Sequence, residues 1–251
     1  MNTALVLSGG VGTRMDTAIP KQYLRVKDKM LITYALEVLL SSAVIDGIWI
    51  VADEAWRAAI EEDVRKRDES GLVDRKLMGF GAPGASRQES IWNGLQQIRG
   101  GRGRWEKSDT DEKDTVLIHD AARPCLSGEL VEACFAALPG HDGVMPVLPM
   151  KDTVYFSQKG SRVERLLDRT AIYAGQSPEL FLLEKYYHAN EALLPDAIRE
   201  IRGSTEAAIK AGMDVAMIPG EERNFKITTT EDLNRFELLI QESSAVKADR
   251  D

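Results

Sequence analysis

Apolar residues along this chain keep two rhythms. Thr3-Ala4-Leu5-Val6-Leu7 is a short continuous run rich in β-formers that stops at Ser8-Gly9-Gly10-Val11-Gly12-Thr13-Arg14, and apolar positions at helical spacing resume over residues 31–40. The pattern predicts strand, glycine loop, helix. Ile48-Trp49-Ile50-Val51 reads as a second buried strand ending at Ala52-Asp53, residues 55–64 read as helix, and residues 76–80 as a third strand. Strands that alternate with helices predict an α/β domain with a parallel sheet.

Ser86-Arg87-Gln88-Glu89 has the spacing of a capping box, with Ile91, Leu95 and Ile98 following on one face, so a helix is expected to start there. Residues 99–114 turn to glycine and charge and read as a polar surface loop. Thr115-Val116-Leu117-Ile118 predicts a central strand that ends at His119-Asp120-Ala121-Ala122-Arg123-Pro124; a helix over 128–138 and a strand over 143–148 follow. Between 150 and 173 the pattern changes to Thr153-Val154-Tyr155-Phe156, a turn at Gln158-Lys159-Gly160, and Arg162-Val163-Glu164-Arg165-Leu166, which predicts an inserted β-hairpin. Helices are expected over 178–194 and 204–211, short strands over 215–218 and 226–228, and a last helix from Glu231. With no internal repeat and no Pro-, Gly- or Ser-rich linker, residues 1–251 read as one domain carrying the hairpin as an arm at about 150–173.

Composition narrows the class. A chain of 251 residues, 43% hydrophobic and 29% charged, can build a sizeable core. No apolar run approaches the roughly 20 residues of a spanning helix, and the opening residues carry no signal pattern, so a soluble cytoplasmic protein without membrane partners is expected. Cys125 and Cys134 lie at neither disulfide-framework nor zinc-site spacing and are expected to be buried and structural. A net charge of -8 gives nucleic acid no general reason to bind; an anionic ligand needs a local basic cluster.

The glycine loop supplies that possibility. Gly9, Gly10 and Gly12 let backbone N–H groups approach phosphate oxygens at a helix start. A dinucleotide fingerprint would need a third glycine where Met15 stands, and a Walker A loop would need a GKS or GKT ending. The loop instead runs into Arg14 and Pro20-Lys21; a tight αβ turn with solvated charges is the plainer alternative. Asp120 ends a central strand, where open sheets place ligands, and a lone carboxylate there suits Mg²⁺ shared with phosphates; pairing with Arg123 as a loop cap is its alternative. Lys226, in Arg223-Asn224-Phe225-Lys226-Ile227-Thr228, sits among apolar neighbours and calls for an anionic partner unless it faces water on an edge strand. Lys151-Asp152-Thr153 and Arg169 bracket the hairpin and on their own read as surface charge.

Taken together, LSGGVGTRM with PKQYL, GASRQESIWNGL, HDAARP, KDTV, GQSPELF and NFKITTTEDL resemble, in order and from residue 5 to about 236, the cytidylyltransferase family of 2-C-methyl-D-erythritol 4-phosphate and ribitol 5-phosphate. The resemblance implies a Rossmann-like, nucleotidyltransferase-type fold and a homodimer formed through the arm. It also implies transfer of CMP from CTP to a sugar-alcohol phosphate with release of pyrophosphate. By motif, Gly9, Gly10, Gly12, Arg14 and Lys21 would hold the triphosphate, and Gly84, Ala85, Arg87 and Ser90 would lie by cytosine and ribose. Asp120 would hold Mg²⁺; Arg123, Thr153, Arg169, Ser177 and Lys226 would receive the polyol phosphate, with Arg169 crossing from the partner. Arg14, Lys21 and Lys226 would carry the catalytic charge.

A phosphate monoester has a second pKa near ~6, so the attacking oxygen is anionic at pH 7 and no general base is needed. The chain departs from the family at QSPE, where Glu179 replaces the usual glutamine, and at Arg202-Gly203-Ser204-Thr205-Glu206, where an acidic run is usual. HDAARP and RQESIWNGL resemble the methylerythritol branch, whereas Tyr173-Ala174-Gly175-Gln176 is closer to the ribitol branch. The expectation is a methylerythritol-phosphate cytidylyltransferase, with the ribitol-phosphate enzyme as second reading and a non-catalytic nucleotide-binding regulator or an NAD-dependent dehydrogenase as readings from other classes.

Overall fold

A computed structural model describes residues 1–10, 19–101 and 112–248. Gly12, Arg14 and the centre of the expected polar loop at 102–111 therefore lie outside the described residues. In chain order the elements are β1 (Asn2–Leu7), β2 (Arg25–Val26), β3 (Lys29–Met30), α1 (Leu31–Ser41), β4 (Gly47–Val51), α2 (Glu54–Arg65), α3 (Leu72–Lys76) and β5 (Leu77–Gly81). Then come α4 (Arg87–Gly100), β6 (Thr115–Asp120), α5 (Gly128–Ala137), β7 (Gly143–Pro149), β8 (Val154–Phe156), β9 (Arg165–Leu167) and β10 (Tyr173–Gly175). The chain closes with β11 (Glu179–Leu182), α6 (Leu183–Glu191), α7 (Ser204–Lys210), β12 (Val215–Pro219) and α8 (Thr230–Ala248).

Eight strands form the main sheet in the order β10-β7-β11-β6-β1-β4-β5, with β12 also pairing β7. The β1–β4, β1–β6, β4–β5 and β7–β12 pairs are parallel, whereas β11 runs antiparallel to both β6 and β7. Alternation along the strands divides the core in two. Ala4, Val6, Ile48, Ile50 and Leu117 face the side of α1, α2 and α5, while Leu5, Trp49, Val51, Val116 and Ile118 face the side of α4, α6 and α7. On that second side Gly94 of α4 lies against the Leu5 side chain so closely that a Cβ would collide with it. Among the described residues no helix is long and apolar enough to cross a membrane.

The chain leaves β1 for β4 and β5 and then returns to place β6 on β1's free side. That reversal puts the carboxyl ends of β1 and β6 side by side, with Leu7 in register with Asp120. Crevices form outside the carboxyl ends of strands at such a reversal.

Several expectations are corrected by tertiary context. Residues 178–194 are not one helix: Glu179–Leu182 is a strand and only Leu183–Glu191 is helical. Leu180 and Phe181 are fully buried, one toward each core, which a strand inserted between β6 and β7 achieves and a surface helix does not. Residues 226–228 form no strand; they run as an extended strap tied by Ile227 N–H to the Ala122 carbonyl at 2.8 Å. The glycine loop does not lead straight into its helix, because a 3-10 turn (Lys21–Tyr23) and the β2–β3 hairpin precede α1. Of the cysteines, Cys134 is buried but Cys125 only partly; burial pushes their thiols up to about 12 and about 11, so both stay protonated.

The hairpin before α1 is pinned by one carboxylate. Asp63 of α2 is 1% exposed and accepts from Met30 N–H at 3.1 Å and Thr33 Oγ1 at 2.7 Å, with Arg25 at 2.8 Å. Burial alone would raise its pKa, but the Thr33, Met30 and Arg25 contacts overcome that and hold it below the usual carboxylate range. Its stabilisation is therefore present above the unfolded pKa of about 3.9 and lost as the pH falls through the lower folded value. Asp63→Asn is expected to cost about 2–3 kcal/mol in urea unfolding at pH 7, with the gap from wild type closing in acid.

Candidate active site

The β1–β6 crevice is a cavity of about 610 Å³ whose lining includes Gly9, Gly10, Lys21, Gly84, Ala85, Arg87, Ser90, Asp120 and Lys226. The structure thus brings together nine of the residues singled out by sequence. Four segments supply them: the loop after β1, the start of α4, the end of β6 and the strap before α8.

The glycine loop is held from behind. Gln22 Nε2 donates to the Ser8 and Gly10 carbonyls at 2.7 and 2.8 Å, and Tyr23 OH donates to the Ser8 carbonyl at 2.8 Å. Tyr23 is itself stacked on Trp56 with ring centroids 4.4 Å apart. A Cβ at Gly9 would run into Pro83, whereas one at Gly10, on the cavity lining, would meet nothing within 4 Å among the described residues. Gly9 is thus explained by packing.

Opposite, Ser86 caps α4 by accepting the Glu89 N–H at 3.1 Å, as the capping box predicts. Glu89 reaches back to the Ala85 N–H at 2.7 Å. Ser90 Oγ accepts from Gly84 N–H at 3.0 Å and donates to the Ser86 carbonyl at 2.9 Å, so Ser90 shapes the loop. Gly84 has no room for a side chain, since a Cβ there would press on Glu89 and the Ser90 amide.

Asp120 is the electrostatic centre. Arg87 donates to its Oδ1 through Nε at 3.1 Å and Nη2 at 3.0 Å, and Lys226 Nζ donates to Oδ2 at 2.8 Å. Burial would raise this carboxyl, but the Arg87 and Lys226 charges win and hold it far below the usual range. Arg123 is not its side-chain partner: Arg123 Nη1 donates to the Asn224 carbonyl, at 2.6 Å. The guanidinium of Arg87, placed by resemblance beside the nucleoside, is engaged with Asp120. Ser177, 4% exposed, accepts the Asp120 N–H through Oγ at 3.2 Å.

Sequence reasoning passed over Gln176 and Asn224, the buried amides that fasten the strap. Gln176 Oε1 accepts the Glu221 N–H and its Nε2 donates to the Glu221 carbonyl, both at 3.0 Å. Asn224 Nδ2 donates to the Ser177 carbonyl at 2.7 Å. Both stand within motifs that carry the resemblance, GQSPELF and NFKITTTEDL, but nothing local shows that they bond to one strap.

Thr153 and Arg169 do not line the cavity of this chain. Both are exposed on the arm, where β8 and β9 pair only with each other among the described residues and Arg169 Nη1 donates to the Lys151 carbonyl at 2.8 Å. The arm exposes Tyr155, Phe156, Val163 and Leu166. His119 of β6 is buried and kept neutral, because desolvation lowers its pKa to about 4, and its Nε2 is engaged with the Arg123 carbonyl at 3.0 Å.

Residues 3–242 match the family described as 2-C-methyl-D-erythritol 4-phosphate cytidylyltransferase (IspD). A ribitol-5-phosphate cytidylyltransferase from Vibrio parahaemolyticus is 30% identical over 242 residues, covering 96% of each chain. A bifunctional IspD/IspF enzyme from Maricaulis maris is 34% identical over 94% of this chain, which spans 56% of that longer protein. The crystal structure of 4-diphosphocytidyl-2C-methyl-D-erythritol synthase from Anaerococcus prevotii superposes with a TM-score of 0.77 over 96% of both chains at 22% identity, which shows the shared fold.

If the buried amides hold the strap in place, Gln176→Ala is expected to speed amide hydrogen exchange over 220–228 by about tenfold or more, the effect of losing two hydrogen bonds of about 1 kcal/mol each. Amides of β1 and β4 should exchange at the wild-type rate, which mass spectrometry of peptic fragments would check.

Proposed function

The chain belongs to the 2-C-methyl-D-erythritol 4-phosphate cytidylyltransferase family, and from that premise we propose that it transfers CMP from CTP to 2-C-methyl-D-erythritol 4-phosphate, yielding the CDP-polyol and pyrophosphate. The observation that carries this reading is the meeting, in one cavity, of Gly9, Gly10, Lys21 and the Asp120–Lys226 pair.

The proposed reaction asks for alignment of two anions and relief of charge at the α-phosphoryl group and departing pyrophosphate, rather than for proton abstraction. The polyol phosphate arrives already ionised. Gly9 and Gly10, with Gly12 by resemblance, offer backbone N–H groups to the triphosphate; Lys21, with Arg14 by resemblance, supplies positive charge beside it. Gly84 and Ala85, on the rigid turn before α4, border the nucleoside. Lys226, half-exposed yet oriented by Asp120, stabilises charge on the reacting phosphates.

Among the described residues lining the cavity, Asp120 is the one carboxylate. Its Oδ2 accepts from Lys226, and a carboxylate oxygen has capacity for a second partner. This fits Mg²⁺ held by one carboxylate together with substrate phosphates. When bound, the ion would neutralise phosphate charge. Arg123, Ser177 and Lys226 are assigned to the polyol phosphate from this chain, and Thr153 and Arg169 from the arm of a second copy. The exposed apolar residues of the arm support a homodimer.

A second reading, D-ribitol 5-phosphate as acceptor, is favoured by the full-length similarity to the Vibrio protein. Pyrophosphate release with CTP and Mg²⁺ separates the two when each polyol phosphate is supplied alone. Higher kcat/KM for the methylerythritol substrate is expected; preference for ribitol phosphate would reassign the acceptor. Lys21→Ala and Lys226→Ala are each expected to lower kcat by about 10²-fold or more with unchanged circular dichroism. Near-wild-type rates in both would refute the charge-based mechanism.

A further inference from the structure

The two places where the chain departs from its family pattern, Glu179 and residues 202–206, meet in the fold. Glu179 opens β11 beside β6, with its side chain 11% exposed. Thr205 Oγ1 donates to Glu179 Oε1 at 3.1 Å. The neighbouring Ser204 Oγ accepts from Arg87 Nη1. Arg87 Nη2, which bonds Asp120 Oδ1 at 3.0 Å, stands 3.8 Å from Glu179 Oε2. Among the described residues that oxygen is buried without a hydrogen bond.

A buried carboxylate is costly unless a cation faces it. Burial pushes the Glu179 carboxyl up, and Arg87 acts against that rise. Arg87 in turn is partly buried, and Asp120 and Glu179 together keep it charged against the cost of desolvation. The guanidinium thus has two carboxylates near Nη2, with Asp120 within hydrogen-bond distance and Glu179 beyond it, while Nη1 is held by Ser204. A guanidinium on a long stem at a cavity wall would otherwise be drawn to incoming phosphate oxygens. Glu179 is close enough to hold it back and too far to take it from Asp120.

We propose that Glu179 is a positioning residue: with the Ser204 and Thr205 hydroxyls it seats Arg87 as the counter-ion of Asp120, and so fixes the carboxylate that orients Lys226 for the polyol phosphate. The inference rests on the cytidylyltransferase reading for its substrate. It assigns the 179 and 202–206 departures to one compensating arrangement, in which the carboxylate stands on β11 and α7 supplies hydroxyls.

Glu179→Gln keeps the size and the hydrogen bond to Thr205 and removes the charge. The variant is expected to raise KM for the polyol phosphate about tenfold, the scale of one charge-assisted contact. CTP affinity by calorimetry without Mg²⁺ should stay within about twofold, because the residues assigned to the triphosphate and nucleoside, Gly9, Gly10, Lys21, Gly84 and Ala85, are untouched. Adding Thr205→Asp, which returns a carboxylate to the same pocket from α7, should bring KM back toward wild type. An unchanged polyol KM, an equal loss of CTP affinity, or a folded double variant with no recovery would each overturn the proposal. Failure of the wild-type protein to release pyrophosphate with either polyol would instead count against the cytidylyltransferase reading. A crystal structure of Glu179→Gln then decides the positioning role alone: Arg87 displaced from Asp120 supports it, and Arg87 still seated there refutes it.

Discussion

A single carboxylate at the end of a central strand sets the terms for the rest of the molecule. Asp120, 8% exposed, has to be paired to be tolerated. Its cations come from 33 residues before it and 106 residues after it. For Arg87 to serve, α4 has to begin at Ser86, which the capping hydrogen bond secures. For Lys226 to serve, the strap has to be fastened across β6, which Gln176, Asn224 and the Ile227–Ala122 bond accomplish. The pairing therefore exists only when the first half of the sheet, the inserted strand β11 and the strap before α8 are all assembled.

What the sequence made legible follows from how local each signal is. The strands β1, β4 and β6 are uninterrupted apolar runs because both of their faces are covered, and such runs stand out against polar flanks. The α4 start was readable because a capping box acts over four residues. β11 was hidden: Glu-Leu-Phe-Leu is too short to show a period, and it runs directly into the helical residues 183–191. The strap was misread as a strand for the opposite reason. Phe225, Ile227 and their neighbours have β-type composition, but the apolar contacts they satisfy are with Leu31 and Phe236, away from the sheet. Arg87 was recognised as part of the site, while its engagement with Asp120 was invisible because nothing local joins the two residues. Glu179 stood out as a charge in an unexpected place, and only the fold shows that Arg87 faces it.

Charge is distributed unevenly enough to matter. A chain of net charge -8 repels anions at long range, so in the proposed transfer the binding of two phosphorylated molecules has to depend on short-range, partly desolvated cations, where the effective dielectric is low. Lys21 and Lys226 line the cavity together with the Asp120–Arg87 pair. These cations differ in what they can offer. Arg87 is committed to Asp120 and Ser204, with Glu179 nearby. Lys226 is bonded to Asp120 but remains 38% exposed.

That difference explains why a site for anions would keep an anion at its centre. Removing Asp120 would raise the local positive charge, yet it would also release the Lys226 ammonium to roam on four methylenes and leave Arg87 without its seat. Electrostatic catalysis depends on charges that are already oriented before the reacting group arrives, because reorganising them during the reaction consumes the stabilisation they provide. Asp120 sacrifices part of the field to hold the cation that projects into the cavity at one address. Its own anionic form is secured in turn by Arg87, which the fold keeps off the phosphates by surrounding it with acceptors. The Asp120–Arg87 pair thus supports the Lys226 ammonium at the lining of the β1–β6 crevice, and in the proposed transfer that ammonium is the group the polyol phosphate would meet.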